Sequence, residues 1–330
     1  DYIKVAGMKA IADNFTKYTP GNGILELRQE IVKKVKQDNG IEYGLNEITT
    51  SVGAKQAIAS AMMVIAGPGD EVILPIPCWV SYTEMIRLAG ATPVFVPVRP
   101  DNYELDLKAI EDAITPRTKA IIICTPNNPT GAVYSEESLR KLAELAVKHD
   151  FFIVADEIYE KLVYDGAKHF SVASISQEVK ERTVTVNGFS KAYAMTGWRI
   201  GYAAARPDVI KGIMAVQSQT TSATSSISQK AAAAALRGPQ HDMEVMVEEF
   251  KRRKDYVVKR LNGIPGIVCP DVKGAFYVYP DVQAYLGKSF GDRRIETAVD
   301  LCQYLLDEAL VSTVPGEAYN VPGKIRISYS

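Results

Sequence analysis

Two segments of the sequence place chemically active side chains directly after short, β-branched apolar runs. In the first, Lys119–Cys124 leads into the turn-forming residues TPNNPTG, which include Asn128. In the second, Phe151–Ala155 ends in Asp156-Glu157-Ile158-Tyr159. Acids that follow a buried strand either begin a helix or point a carboxylate into a cleft. For the first segment, a tight loop with a cis bond before Pro129 is an equally good interpretation.

Two further segments offer a lysine and a set of backbone N–H groups. The run Thr183–Val186 continues into NGFSKAYAMTGWR, which contains Lys191 and Arg199. A lone lysine after a strand is usually solvent-exposed, but Lys191 lies among small and apolar residues. Desolvation there would lower the pKa of its amine toward that of a usable nucleophile or base. The segment Ser51–Lys55 puts Gly53 at a predicted helix start, where free N–H groups can hold a phosphate.

An alternation of short apolar runs and helical patterns positions these segments. The runs predicted as buried strands are Glu71–Leu74, Pro93–Val98, Lys119–Cys124, Phe151–Ala155, Thr183–Val186 and Ile200–Ala204. The helical patterns between them include Ile24–Gln37, Ala54–Ile65, Ser135–His149 and Asp208–Gln217. This alternation predicts an α/β fold with a mostly parallel sheet and helices on both faces. The polar segments gather at the carboxyl ends of the strands, where open α/β sheets bind ligands.

The order of the elements changes after the helical stretch Asp242–Leu261. The later elements are predicted to be a strand, a helix and two strands, over Ala275–Tyr279, Ile295–Ala309, Val311–Val314 and Lys324–Ser328. The start of the chain, Asp1–Thr16, reads as an amphipathic helix. The change in order predicts a large domain over residues 1–258 and a smaller α+β domain over residues 259–330.

Composition excludes several classes of function. The 330 residues include 38 Lys and Arg against 39 Asp and Glu, a net charge of −1, which argues against nucleic acid or an anionic membrane as a main partner. The longest nearly apolar run, Ile58–Gly67, is too short to span a bilayer. Four dispersed cysteines and three histidines predict neither a disulfide framework nor a metal site. No GxGxxG or P-loop motif follows a strand, so dinucleotide binding has no support.

Taken together, TPNNPTG, DEIY and SKAYAMTGWRIGY resemble, in this order, the class I aminotransferases of the aspartate aminotransferase superfamily. The resemblance covers essentially the whole chain and implies a fold-type I enzyme that uses pyridoxal phosphate. Subgroup Ib, which includes prephenate aminotransferases, is the most similar branch. The segments that support this assignment are KYTPGNG at 17–23, GAKQA at 53–57, PCWVSYTEM at 77–85, GAFYVYPD at 274–281 and KIRISYS at 324–330.

The resemblance implies a role for each residue around the cofactor ring. Lys191 corresponds to the lysine that bonds covalently to pyridoxal phosphate and then moves the proton between substrate and cofactor. Asp156 would pair with the pyridine nitrogen and keep it protonated. Tyr159 and Asn128 would hydrogen-bond the phenolic oxygen of the cofactor. Trp79 would stack on the ring, although without the family an aromatic residue at this position is more typical of a core.

The phosphate contacts are likewise implied by the resemblance. They comprise Arg199, the backbone amides of Ala54 and Lys55, and Ser190. Tyr18 corresponds to a tyrosine that reaches across a homodimer interface to the partner's phosphate. In isolation, Tyr18 reads better as a surface residue before a Pro-Gly turn.

For the substrate, the resemblance implies that Arg326 binds the α-carboxylate in a two-bond geometry, with Trp79 and Asn128 also in contact. Lys55 would recognise the second carboxylate of a dicarboxylic substrate. The expected reaction is ping-pong transamination between aspartate or glutamate and a 2-oxo acid, namely 2-oxoglutarate, oxaloacetate or prephenate. Alternatives on the same fold are an aminotransferase for aromatic or alanine-like substrates and a β-lyase. A non-enzymatic pyridoxal phosphate-binding regulator is the alternative from another class.

Three further expectations concern the state of the protein. A homodimer is expected because the family's site needs two chains. The absence of a recognisable secretory signal predicts a cytoplasmic location. Members of the family usually begin earlier, with a glycine-containing segment over the site, and end with a further helix. The C-terminal domain is therefore expected to be incomplete in this chain, and the N-terminal segment to be absent.

Overall fold

A computed structural model describes all residues, 1–330. The helices are α1 (Tyr2–Ala12), α2 (Leu25–Asn39), α3 (Gly53–Ile65), α4 (Ser81–Leu88), α5 (Leu107–Asp112), α6 (Glu136–His149), α7 (Gln177–Arg182), α8 (Pro207–Thr220), α9 (Ser226–Arg237), α10 (His241–Asn262) and α11 (Ala298–Ala309). The strands are β1 (Ile48–Ser51), β2 (Glu71–Ile76), β3 (Thr92–Pro97), β4 (Thr118–Cys124), β5 (Phe152–Asp156), β6 (Thr183–Gly188), β7 (Gly201–Ala204), β8 (Tyr277–Val278), β9 (Lys288–Phe290), β10 (Arg293–Ile295), β11 (Val314–Pro315) and β12 (Ile325–Ser328).

Seven strands form a central sheet in the order β1-β7-β6-β5-β4-β2-β3. The pairs among β2, β3, β4, β5 and β6 are parallel, whereas β7 is antiparallel to both of its neighbours. The register aligns Cys124 with Asp156 and Asp156 with Val186. The carboxyl ends of the three middle strands therefore lie side by side, and the predicted mostly parallel α/β sheet is confirmed.

Burial explains why the middle strands are so apolar. Each residue of β6 is buried, as is each residue of β5 after Phe152, because helices cover both faces of the sheet. The helix that precedes β5 begins where the sequence predicts. The Ser135 hydroxyl accepts a hydrogen bond from the Ser138 N–H at 3.2 Å, and Glu136 and Glu137 lie in the first turn.

A separate three-stranded sheet follows α10, in the order β11-β12-β8. It packs with α11 around a small apolar cluster that includes Val282, Ala298 and Ile325. The observed change in element order agrees with the sequence pattern. Residue 259 itself lies within α10, and the division of the chain into domains at that residue stays a prediction.

Several predicted boundaries in the last third are wrong. The strand predicted over Ala275–Tyr279 is reduced to β8, and the one over Val311–Val314 begins only at Val314. The helix predicted from Ile295 begins at Ala298, because Thr297 caps it and exchanges hydrogen bonds with Asp300. Ile295 belongs instead to a hairpin of β9 and β10.

Two differences lie near the start of the chain. The first helix ends at Ala12 rather than Thr16. Strand β1 has no counterpart among the predicted strands, since three of its four residues are Thr or Ser and give no apolar signal. It is nevertheless fully buried and pairs with β7.

A close backbone approach fixes the start of α3 against β7. A Cβ atom on Gly201 would lie 2.6 Å from the Ala54 nitrogen and 2.7 Å from the Gly53 carbonyl carbon. Backbone atoms cannot move aside as a flexible side chain can. Glycine at position 201 therefore lets α3 begin in direct backbone contact with β7.

We expect Gly201→Ala to lower the free energy of unfolding by about 1–3 kcal/mol, because the added methyl group must push α3 away from β7. Urea unfolding followed by circular dichroism measures this change. Gly197→Ala is the matched control, since nothing lies within 4 Å of a Cβ at that position. Equal stability of the two variants would contradict the role given to the close approach.

Candidate active site

A cavity of about 380 Å³ opens at the carboxyl ends of β4 and β5, between the central sheet and the three-stranded sheet. Ten of the eleven residues predicted from the sequence line it. They are Ala54, Lys55, Trp79, Asn128, Asp156, Tyr159, Ser190, Lys191, Arg199 and Arg326. The structure thus brings together residues from six separate segments of the chain.

Tyr18 is the predicted residue that the cavity does not include. It lies in the segment after α1, and its side chain is 94% exposed. Within one chain Tyr18 is therefore a surface residue that does not line the cavity.

The Asp156 carboxyl group is buried at the end of β5. The Tyr82 hydroxyl donates to its Oδ2 at 2.7 Å, and the Ile158 N–H donates to its Oδ1 at 3.2 Å. Burial raises the pKa of Asp156 to about 6, although both hydrogen bonds oppose the rise. A carboxylate held in this way favours a positively charged partner, such as a protonated ring nitrogen.

Lys191 follows β6 and is partly buried. Its Nζ lies 5.7 Å from the ring centroid of Tyr159 and 5.3 Å from that of Phe276. Burial lowers the pKa of Lys191 below its ordinary value; Asp156 opposes this effect, while Arg326 and Arg199 add to it. The lowered pKa favours the neutral amine, which is the nucleophilic form.

The opposite wall of the cavity holds an arginine with a free donor. The Arg326 Nη1 donates to the Asn128 Oδ1 at 3.0 Å, while its buried Nε has no hydrogen-bond partner. Its guanidinium carbon lies 4.4 Å from the ring centroid of Tyr277 and 5.5 Å from that of Tyr319. A planar group fixed on aromatic rings with an unused donor is suited to bind a carboxylate.

The start of α3 forms a positive end of the cavity. Gly53, the first helical residue, has φ +79°, a left-handed conformation that favours glycine, and no side chain caps the helix. The Arg199 Nη2 donates to the Val52 carbonyl at 3.3 Å, and a Cβ on Gly53 would lie 2.6 Å from that nitrogen. Free N–H groups, the helix dipole and a guanidinium converge here, which is how proteins hold phosphate.

Trp79 and Lys55 flank the mouth of the cavity. The Lys55 Nζ lies 4.8 Å from the Trp79 ring centroid, a cation–π distance. The Trp79 ring packs edge-on against Tyr82, with centroids 5.3 Å apart. The ammonium group of the exposed Lys55 therefore lies over one face of the Trp79 ring.

Five lining residues were missed by the sequence prediction: Tyr82, Cys124, Ile158, Thr196 and Tyr277. Four of them, Tyr82, Cys124, Ile158 and Thr196, lie inside segments that the sequence analysis quotes, but none of them was given a role there. Tyr277 belongs to the quoted segment GAFYVYPD, but nothing in that segment distinguishes its hydroxyl from that of an ordinary strand tyrosine. It is nevertheless buried, with its hydroxyl 3.0 Å from that of Tyr159.

A buried ionic cluster lies next to the segment that carries Asp156 and Tyr159. It is formed by Glu157, Glu160, His169 and Lys34. Glu160 pairs with Lys34, and the His169 Nε2 lies 3.3 Å from the Glu157 Oε2. Burial alone would raise the pKa of Glu160, but Lys34 outweighs it and lowers the pKa to about 2. Two residues of the turn thus face the cavity, and two anchor it to charges on α2 and the His169 loop.

The same cluster has the donor types of a metal site, since the ligand atoms of Glu157, Glu160 and His169 lie within 4.8 Å of one another. The Lys34 ammonium group already pairs with Glu160 and supplies the positive charge that a metal ion would bring to these carboxylates. The arrangement is therefore one of ion pairs within the chain.

None of the helices combines the length and apolarity needed to cross a membrane.

Known proteins are similar to this chain in sequence and in fold. The profile of the family described as aminotransferase class I and II matches residues 3–330. The aspartate aminotransferase of Bacillus sp. (strain YM-2) is 44% identical over 99% of this chain and 83% of its own length. The probable aspartate/prephenate aminotransferase of Aquifex aeolicus (strain VF5) is 45% identical over 100% of this chain and 83% of its own.

A solved structure gives the same result at the level of the fold. The crystal structure of the aspartate aminotransferase from Rhizobium meliloti superposes with a TM-score of 0.95, at 44% identity, over 99% of this chain and 82% of that one. The fold is therefore that of the fold-type I pyridoxal phosphate transferases. The chain belongs to the class I and II aminotransferase family.

The ionic cluster leads to a pH-dependent prediction for stability. Burial alone would lower the pKa of His169, but Glu157 and Glu160 raise it above its ordinary value. Because the folded-state pKa is the higher one, the stability that His169 contributes is complete below its unfolded pKa of about 6.5. That stability is lost as the pH rises through the folded-state pKa. We expect His169→Gln to cost about 3 kcal/mol of unfolding free energy near pH 6 and clearly less near pH 9.

Urea unfolding of the wild-type protein and the variant at both pH values measures this difference. His149→Gln is the control, because His149 is exposed at the end of α6. A cost of His169→Gln that is the same at both pH values would show that the imidazole acts by packing alone.

Proposed function

We propose that the chain is a pyridoxal phosphate-dependent aminotransferase of the aspartate aminotransferase type. It would exchange the amino group of aspartate or glutamate with a 2-oxo acid in a ping-pong reaction. The observation that carries the proposal is the meeting of three groups in one cavity: the Lys191 amine, the buried Asp156 carboxyl group and the Arg326 guanidinium. The relatives named aspartate aminotransferase and aspartate/prephenate aminotransferase support the substrate class.

The residues of the cavity fit pyridoxal phosphate. Its phosphate matches the uncapped start of α3 with Arg199 and Ser190, including the N–H groups of Ala54 and Lys55. Its pyridine nitrogen matches Asp156, and its phenolic oxygen matches Tyr159 and Asn128. Trp79 offers a flat aromatic face for the ring. The unpartnered Nε of Arg326 is left over and suits the substrate.

When bound, pyridoxal phosphate supplies an aldehyde for bonding to amines and a ring that withdraws electrons from the substrate Cα. The chain supplies the remaining functions. Asp156 keeps a proton on the ring nitrogen. Lys191 would hold the covalent link at rest. Once released, its amine would take the proton from the substrate Cα and deliver it to the former aldehyde carbon of the cofactor. Arg326 fixes the substrate through its α-carboxylate.

The covalent role of Lys191 is tested by Lys191→Ala. We expect this variant to bind pyridoxal phosphate without a covalent bond and to lose transamination by about 10³-fold or more, because nucleophile and proton carrier are both removed. Mass spectrometry after borohydride reduction should find the cofactor attached to the wild-type protein and absent from the variant. Lys211→Ala, at an exposed position of α8, is the control. Wild-type turnover in Lys191→Ala would contradict the proposed function.

Charge supports a dicarboxylic substrate. Two carboxylates entering the cavity each need a compensating cation. Arg326 can neutralise one in a planar geometry, and Lys55, over Trp79 at the mouth, is a flexible cation for the other. A flexible lysine tolerates carboxylates at different distances, which would allow aspartate, glutamate and prephenate to share one site.

We therefore expect Lys55→Ala to raise the KM for aspartate and to lower its kcat/KM by a factor that corresponds to about 2 kcal/mol of transition-state stabilisation. The kcat/KM for alanine should change little. Steady-state kinetics with both amino acids measures the difference. Arg326→Ala is the matched comparison and should harm both donors alike, since both carry an α-carboxylate. If Lys55→Ala weakened aspartate and alanine equally, Lys55 would serve the phosphate or the fold instead.

We also propose that the active form is a homodimer in which Tyr18 contacts the partner's site. Two features support this assembly. Tyr18 is 94% exposed, and α1 nearby exposes the apolar side chains of Val5, Met8 and Ile11. Burying these side chains between two chains would remove a substantial apolar area from water.

A further inference from the structure

Two tyrosine hydroxyls face each other in the wall of the cavity. The Tyr159 Oη and the Tyr277 Oη are 3.0 Å apart, and both side chains are buried. Neither hydroxyl has another hydrogen-bond partner in the chain. Tyr159 follows β5 of the central sheet, whereas Tyr277 belongs to β8 of the small sheet. The bond therefore joins the two sheets at the site.

Each hydroxyl has one proton, so the direction of this bond decides where the other proton points. If Tyr159 donated to Tyr277, it would have no proton left for a ligand. If Tyr277 donates, the Tyr159 proton is free to point into the cavity. The two arrangements have different consequences for any oxygen bound beside Tyr159.

The surroundings favour Tyr277 as the donor. The Arg326 guanidinium lies 4.4 Å from the Tyr277 ring centroid, and a positive charge makes a phenol more acidic. Burial raises the pKa of Tyr277, but its bond with Tyr159 and the charge of Arg326 work against the rise. Burial places the pKa of Tyr159 well above its ordinary value, and its neighbours raise it further. The more acidic hydroxyl is the better donor.

We propose that Tyr277 is a positioning residue, which donates its hydroxyl proton to Tyr159 and thereby directs the Tyr159 proton toward the phenolic oxygen of pyridoxal phosphate. This inference rests on the proposed function. Donation from Tyr277 also polarises the Tyr159 hydroxyl and makes it a stronger donor, because hydrogen bonds in a chain strengthen one another. The phenolic oxygen then carries its negative charge more easily.

The test is a pH titration of the visible absorbance of the purified holoenzyme. Tyr277→Phe removes only the hydroxyl and keeps the ring between Phe276 and Arg326. A weaker donor at Tyr159 stabilises the deprotonated cofactor less, so the apparent pKa of the absorbance change should rise by about 0.5 to 1. Tyr159→Phe should raise it more. We also expect kcat to fall about three- to tenfold, with little change in the KM for aspartate.

Two comparisons separate positioning from a structural effect. Tyr279→Phe is the matched control: Tyr279 is buried two residues away, and its hydroxyl donates to the Val321 carbonyl at 3.3 Å, outside the cavity. It should leave the titration unchanged. In the Tyr159→Phe/Tyr277→Phe double variant, the pKa should match that of Tyr159→Phe alone, because Tyr277 acts only through Tyr159.

A titration of Tyr277→Phe identical to that of the wild type would overturn the inference. So would full additivity in the double variant, since Tyr277 would then act on the cofactor without Tyr159. Either result leaves the proposed function standing if the wild-type protein binds the cofactor covalently and transaminates. A wild-type protein that does neither would refute the proposed function itself.

Discussion

The site depends on one constraint: the parallel strands β4, β5 and β6 end side by side, at the same edge of the sheet. Parallel pairing aligns Cys124 with Asp156 and Asp156 with Val186, so the chain leaves all three strands at one edge. The residues that follow are Asn128, the turn to Tyr159, and Lys191. A shift of one residue in this register would turn the Asp156 side chain to the other face of the sheet. The apolar, fully buried strands fix the register, and the polar groups beyond them inherit their positions from it.

Charged groups of both signs line the same cavity: the carboxyl group of Asp156 and the cationic side chains of Lys191, Arg199 and Arg326. Burial removes water from the Asp156 carboxyl group, which costs free energy. The hydrogen bonds from the Tyr82 hydroxyl and the Ile158 N–H offset only part of this cost. Burial lowers the pKa of the Lys191 amine, and the positive charges of Arg326 and Arg199 lower it further. Each of these charged groups is costly to bury without a partner. A protonated ring nitrogen would pair with Asp156, and a phosphate and a carboxylate would pair with Arg199 and Arg326.

The sequence predicted the large sheet from its local pattern of apolar runs, and most of the site residues from the resemblance of its motifs to a known family. Asp156 directly follows one apolar run and Lys191 lies five residues after another, and the parallel topology then brings both to one edge of the sheet. Tyr277 could not be found in this way, because its importance comes from the approach of a second sheet to Tyr159 across 118 residues. Strand β1 was missed for a related reason: its Thr and Ser residues are buried only because β7 pairs with them. The wrong start at Ile295 shows the reverse, a local cap at Thr297 overriding apolar periodicity.

The antiparallel pairing of β1 with β7 also sets the order in which the working parts can be completed during synthesis. Ser51 pairs with Gly201, so the segment that leads into α3 can join the sheet only after residue 201 has been made. Arg326 reaches Asn128 across 198 residues and arrives last. Contacts of such long range close slowly, because the intervening chain must first be ordered. A growing chain can therefore complete the proposed phosphate site before Arg326, the residue proposed to bind the substrate carboxylate, has been made.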